Sequence, residues 1–170
     1  VEVRAVESPG VRVRLCIGLT KGRKMDDVVR KSTELGVWEF RPIVCARSVS
    51  KPDPGRTRPR LERWRRIAGE AARQCGRREV PRVHAPIPLP DALAELSISS
   101  GGLGLMLWEG ERVLGLRQAL ESAVSADPIN VLVGPEGGWS PSESESIVRA
   151  GFTPVSLGRR ILRAETAPIP

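Results

Sequence analysis

Leu132-Val133-Gly134-Pro135-Glu136-Gly137-Gly138-Trp139-Ser140, followed by Val155-Ser156-Leu157-Gly158-Arg159-Arg160-Ile161-Leu162-Arg163-Ala164-Glu165-Thr166-Ala167, decides how this chain is read. Each stretch is an apolar strand end that opens into a loop containing glycine. Two such junctions at the carboxyl edge of an open α/β sheet make a crevice lined by main chain, the usual place for a ligand in that architecture. Gly134, Gly137, Gly138 and Gly158 allow close backbone approach and positive φ. Such loops can offer N–H and C=O groups to the edge of a flat heterocycle, while Leu157, Ile161 and Leu162 pack its faces. Leu107-Trp108-Glu109, ending a third strand, can close the crevice. The same residues read as readily as two tight turns with ordinary core leucines.

The remaining pattern surrounds these junctions with alternating strands and helices. Val11–Leu19 begins with alternation and becomes continuously apolar, as a strand entering a buried sheet does. A helical pattern through Met25, Val28, Val29 and Thr33 stops at Gly36, well placed for a C-terminal cap. Val37–Ala46 predicts a second strand, with Pro42 marking an edge or an irregularity. Ser48–Pro59, rich in Pro, Ser and charge, reads as a loop, and Arg60–Cys75 as an amphipathic helix. On that helix Leu61, Trp64, Ile67, Ala68, Ala71 and Cys75 share one side. Val80–Ala85 and Gly102–Trp108 read as strands, Pro90–Leu96 and Val113–Val124 as helices, and Ile129–Val133 as the strand before the first glycine loop. Ser140, Pro141 and Glu143 together mark a helix start with a capping box, and Gly151 its end. The expected fold is α/β, a mostly parallel sheet with helices on both faces.

Charge is unevenly placed. The chain carries 27 Lys and Arg against 20 Asp and Glu, a net of +7. Residues 47–84 alone hold twelve basic and four acidic side chains, a net of +8, leaving the remainder at −1. Arg63, Arg66, Arg73 and Arg77 fall on the side of the helix opposite its apolar stripe, the last if the helix continues that far. The block points to a polyanion, most plausibly nucleic acid, or to a solvated face in an arginine-rich protein. The absence of Tyr and the presence of only two Phe argue against a stacking platform for single strands.

Other chemistries lack their residues. Cys16, Cys45 and Cys75 form no Cys-x-x-Cys pair and read as small buried hydrophobes of a reducing, cytoplasmic compartment. With His84 the lone histidine, neither a metal site nor a Ser-His-Asp triad is expected, and His84 reads as a strand-end residue. There is no P-loop and no Gly-x-Gly-x-x-Gly after the first strand. No apolar run approaches the roughly 20 residues that span a bilayer.

Gly134-Pro-Glu-Gly-Gly-Trp-Ser-x-x-Glu143 with Leu157-Gly-x-x-Ile-Leu-Arg-x-Glu-Thr-Ala167 resembles the RsmE family, the 16S ribosomal RNA uridine-N3 methyltransferases of the SPOUT, or α/β-knot, class. Lys31-Ser-Thr-Glu-Leu-Gly-Val37 and Glu70-Ala-x-x-Gln-Cys-x-Arg77, with Pro81 after it, agree in family order. The resemblance implies a C-terminal trefoil knot, S-adenosyl-L-methionine held in the knot loops, and a homodimer beside the cofactor. Carried over by motif, the cofactor pocket comprises Leu107, Trp108, Glu109, Gly134, Pro135, Glu136, Gly137, Gly138, Leu157, Gly158, Ile161 and Leu162, with Thr166 and Ala167 at its edge. Arg163 is then expected to stabilise the developing uracil anion, and Glu136 or Glu165 to orient the base or take its N3 proton. Arg63, Arg66, Arg73 and Arg77 would hold phosphates of the 16S rRNA in the small ribosomal subunit. Residues 1–10 would be the remnant of a linker from an N-terminal PUA-like domain, and 11–170 a SPOUT domain cut short at its C-terminal end. The alternatives are a SPOUT enzyme with another RNA target, such as tRNA ribose, and a non-catalytic RNA-binding module.

Overall fold

The computed structural model describes residues 10–48, 54–96, 102–122 and 126–169. All but Gly10 of the expected linker remnant lies outside them. Seven strands form one sheet: β1 (Val13–Gly18), β2 (Glu39–Val44), β3 (Arg82–Val83), β4 (Ile87–Pro88), β5 (Leu103–Leu107), β6 (Ile129–Val133) and β7 (Thr153–Val155). Every pairing is parallel, in the order β3-β2-β1-β6-β5-β7, with β4 also on β2. The chain builds outward from β1 to β3, then crosses to β5 and returns to insert β6 beside β1. Strand direction therefore places the ends of β5, β6 and β7 at one carboxyl edge, where the winding reverses.

Helices α1 (Lys24–Glu34), α2 (Pro54–Gln74), α3 (Leu89–Glu95), α4 (Leu116–Glu121) and α5 (Pro141–Arg149) cover both faces. Strand alternation divides the core accordingly. Leu15, Ile17, Leu105, Leu107 and Val133 face one cluster with Val28, Val29, Trp64 and Ala68 of α1 and α2. Cys16, Met106 and Leu132 face the other, with Ala92, Ile147, Trp139 and Phe152. Burial on both sides explains why these strands read as apolar runs.

Local signals explain most boundaries. Gly36 follows α1 with φ +98°, and Gly151 follows α5 with φ +90°. Ser140 Oγ accepts from the Glu143 N–H, and the Glu143 carboxylate accepts from the Ser140 N–H, closing the capping box. Pro42 marks an irregularity and not an edge. β2 is an interior strand, but its outer neighbour is split into β3 against Glu39–Phe40 and β4 against Ile43–Val44. Proline has no N–H for the ladder, so pairing stops beside it. The loop expected from Ser48 to Pro59 is too long by its last six residues, which belong to α2. Pro54 at the helix start is compatible with that. The helix expected over Val113–Val124 is shorter, and residues 123–125 lie outside the described positions.

The amino end of the sheet carries a charge cluster. Glu39 Oε1 accepts from Arg14 Nε at 3.0 Å and Arg41 Nε at 2.7 Å, and lies 3.2 Å from His84 Nε2. Burial raises the Glu39 carboxyl, but Arg41, Arg14 and His84 outweigh it and hold the group below the ordinary carboxylate range. Arg14 also donates to Asn130 Oδ1 at 2.9 Å, joining β2, β1 and β6.

Candidate functional site

A crevice of about 860 Å³ opens at the carboxyl ends of β5, β6 and β7. Its first wall is Leu107, Trp108 and Glu109 after β5. The second is Val133, Gly134, Pro135 and Gly138 after β6, and the third is Ser156 to Leu162 after β7, with Ala164 and Ala167. Trp139 is a structural floor rather than a lining residue. It is buried, its indole Nε1 donates to the Leu107 carbonyl at 3.2 Å, and a Cβ at Gly134 would stand 3.3 Å from its ring. The β5 and β6 walls are thereby tied together. Ser156 Oγ accepts from the Gly158 N–H at 3.1 Å and turns the third wall, where Gly158 adopts φ +111°.

Two glycines mark this as a cradle. Gly115 and Gly158 both line the crevice, and a Cβ on either meets no protein atom within 4 Å. Gly137 differs: its added Cβ would lie 2.9 Å from Arg47 Cβ, and its carbonyl accepts from Arg47 at 3.1 Å. Its smallness serves packing against the β2–α2 connection. Size and main-chain lining suit a flat heterocycle with a polar tail, within the range of ordinary small-molecule sites.

The family model for the RNA methyltransferase domain matches residues 6–170, nearly the whole chain. The chain belongs to this family. Among RNA methyltransferase domain proteins it is 37% identical over 156 residues to ribosomal RNA small subunit methyltransferase E of Synechocystis, covering 92% of this chain and 50% of that one. The Bacillus subtilis protein of the same name is 36% identical over 163 residues, covering 94% of this chain and 63% of that one. The crystal structure of ribosomal RNA small subunit methyltransferase E from Neisseria gonorrhoeae, bound to S-adenosyl methionine, superposes with a TM-score of 0.84 at 34% identity. That match covers 94% of this chain and 63% of the other. The chain thus spans about half to two thirds of the relatives it matches, and it shares their α/β fold.

Within this RNA methyltransferase domain, Leu107, Trp108, Glu109, Gly134, Pro135, Gly138, Leu157, Gly158, Ile161, Leu162 and Ala167 all line the crevice. Glu136, Gly137 and Thr166 do not. Glu136 Oε1 instead accepts from the Lys21 N–H at 2.9 Å and lies 3.3 Å from Lys24 Nζ. Burial raises its carboxyl, but the Lys21 N–H, its own N–H and Lys24 hold it below the ordinary range. Glu165 Oε2 is also 3.3 Å from Lys24 Nζ. Arg163 is exposed between two lining residues, and its carbonyl accepts from the Thr166 and Ala167 N–H groups. Sequence reasoning missed Glu111, Arg112, Val113 and Gly115. Glu111 Oε1 accepts from the N–H groups of Val113 and Leu114, folding the β5–α4 loop over the crevice. No motif pointed to that loop.

The four arginines divide, three of them on α2 and Arg77 just beyond its end at Gln74. Arg66 and Arg73 are exposed, Arg66 lying 3.9 Å from Glu70. Arg63 pairs with the buried Asp26 of α1. Arg77 donates to the carbonyls of Thr33 and Val37, both at 2.8 Å, satisfying the end of α1.

Proposed function

We propose that this chain is the catalytic domain of an S-adenosyl-L-methionine-dependent methyltransferase acting on N3 of a uridine in 16S rRNA of the small ribosomal subunit. The observation that carries the reading is the main-chain crevice at the carboxyl edge of β5, β6 and β7, with Gly115 and Gly158 in its lining. The names of the relatives and the cofactor in the gonococcal structure supply the substrate class. The trefoil knot, a cytoplasmic location and a PUA-like domain in the full-length protein belong to the same reading. So does a homodimer, for which Val113 and Ile161, 91% and 81% exposed beside the crevice, supply apolar surface.

The bound cofactor supplies an electrophilic methyl group. This chain's residues must then handle a uracil whose N3 carries a proton. Arg163, exposed between the lining residues Leu162 and Ala164, is the residue assigned to stabilise negative charge on the uracil oxygens as that proton leaves. The carboxylates of Glu136 and Glu165 are both engaged by Lys24, and Glu136 is held ionised, which suits anchoring more than proton uptake. Arg66 and Arg73 are exposed to meet phosphates, Arg66 with Glu70 as its surface neighbour, whereas Arg63 and Arg77 already serve contacts with α1 and its end.

Calorimetric titration of the purified chain with S-adenosylmethionine tests the cofactor assignment, repeated on Gly115→Leu. Gly115 lines the crevice with φ −80° and ψ 150°, which any residue adopts, and a Cβ there meets no protein atom within 4 Å, so the substitution adds bulk at the site without backbone strain. Saturable binding abolished in Gly115→Leu supports the site. Equal binding by both removes it. In the full-length enzyme on small ribosomal subunits, Arg163→Ala with undiminished turnover ends the role given to Arg163.

A further inference from the structure

Lys24, in the first turn of α1, does not line the crevice, yet it ties together the loops that form two of its walls. Its Nζ lies 3.3 Å from Glu136 Oε1 and 3.3 Å from Glu165 Oε2. Glu136 neighbours the lining residue Pro135, and Glu165 neighbours Ala164. We propose that Lys24 is a positioning residue whose ammonium holds the 134–138 and 163–167 loops at the spacing that S-adenosylmethionine requires. The inference rests on the cofactor assignment above.

The argument is electrostatic. Two carboxylate oxygens sharing one ammonium are no farther apart than twice 3.3 Å, close enough to repel strongly if the cation is removed. Glu165 Oε2 is buried and has no hydrogen bond, so Lys24 is its one cation among the described ion pairs. The two loops are not equally braced. Glu136 keeps the Lys21 N–H at 2.9 Å whatever happens to Lys24, and its loop is fixed through Trp139 to Leu107. The 163–167 segment is held by its own turn, Thr166 N–H and Ala167 N–H to the Arg163 carbonyl, and by Ala167 against the core. When the clamp is lost, the wall that yields is the one carrying Arg163, Ala164 and Ala167. Burial lowers the Lys24 ammonium, but Glu165 and Glu136 outweigh it and raise the group, so the clamp stays charged through the neutral range.

The test compares S-adenosylmethionine titration and amide hydrogen exchange in the native chain, Lys24→Met, Lys24→Arg, and Lys24→Met combined with Glu136→Gln and Glu165→Gln. Affinity is expected to fall about ten-fold or more in Lys24→Met. It recovers in Lys24→Arg and, because the repulsion is gone, largely recovers in the triple variant. Exchange at 163–167 rises in Lys24→Met while β1 and β6 stay protected. A merely structural lysine would not be rescued by deleting its two partners' charges. Native affinity in Lys24→Met, or a loss that neither second variant recovers, overturns the proposal. If the native chain itself fails to bind, the cofactor assignment falls instead. Exchange then decides on Lys24: faster exchange at 163–167 sustains the clamp, and unchanged exchange refutes it.

Discussion

Gly18 ends β1 directly behind the crevice, and replacing it with alanine tests how rigidly the sheet holds the first glycine loop. A Cβ at Gly18 would stand 2.5 Å from Pro135 N, 2.7 Å from Pro135 Cδ and 3.1 Å from Gly134 C. Two of these three are main-chain atoms and the third is in a proline ring, so no side chain can swing aside. Reaching ordinary contact near 3.4 Å requires the Gly134–Pro135 segment to retreat by roughly 1 Å. The β1–β6 register, Cys16 opposite Leu132 and Ile17 opposite Val133, opposes that movement. Overpacking of this kind costs about 1–3 kcal/mol. For a domain of this size, 1 kcal/mol corresponds to about 2–4 °C in Tm. Gly18→Ala should therefore unfold several degrees below the native chain in a thermal melt. Because the displaced atoms are a crevice wall, its affinity for S-adenosylmethionine should fall by about ten-fold or more. Native Tm with native affinity would refute the reasoning, since it would mean the loop moves without cost.

Three further outcomes follow from other contacts. Trp139→Phe deletes the donor to the Leu107 carbonyl and should cost about 1–3 kcal/mol by urea unfolding, with an unchanged midpoint counting against the bond. Burial pushes His84 below its ordinary value of 6.5, Arg41 and Arg14 adding to this and Glu39 opposing it. Below pH 6.5 the unfolded chain therefore binds more protons than the folded one, so stability falls as pH drops through that value towards the folded one. His84→Gln should flatten this part of the stability–pH curve, measured by urea midpoints. Burial pushes the Cys16 and Cys45 thiols up to about 12, and Cys75 is only partly buried. A thiol reagent at about pH 8 should then label Cys75 alone in the folded chain, and all three after denaturation.

The parts of the fold legible from sequence were those whose signals are local or periodic. The capping box at Ser140 and the glycines at 36 and 151 mark helix ends because they act within one turn of chain. The apolar runs at 13–18, 103–107 and 129–133 announce strands covered on both faces. The start of α2 was hidden because Pro54 and Pro59 read as loop residues; Pro54 in the first turn sacrifices little, but Pro59 lies inside the helix, where a proline is not expected. β4 was missed because its two residues, Ile87 and Pro88, carry no pattern at all. The crevice walls after β6 and β7 were visible in their glycines. The wall after β5 was only half visible, since Glu111 organises it through main-chain N–H groups that any sequence possesses. Helical periodicity put Arg63 and Arg77 on a basic face without showing that Asp26 and the end of α1 already occupy them. Lys24 was out of reach, because its meaning lies in two partners more than a hundred residues away.

The split beside Pro42 has a consequence for how these molecules meet at high concentration. At one border of the sheet, β3 and β4 offer two residues each, and β4 includes Pro88. At the other, β7 offers three, with Pro154 in the middle. An incoming strand would find neither border long enough to zip onto before a missing N–H or a gap stopped it. Among the described residues, a sheet this apolar is thus guarded against edge-to-edge growth.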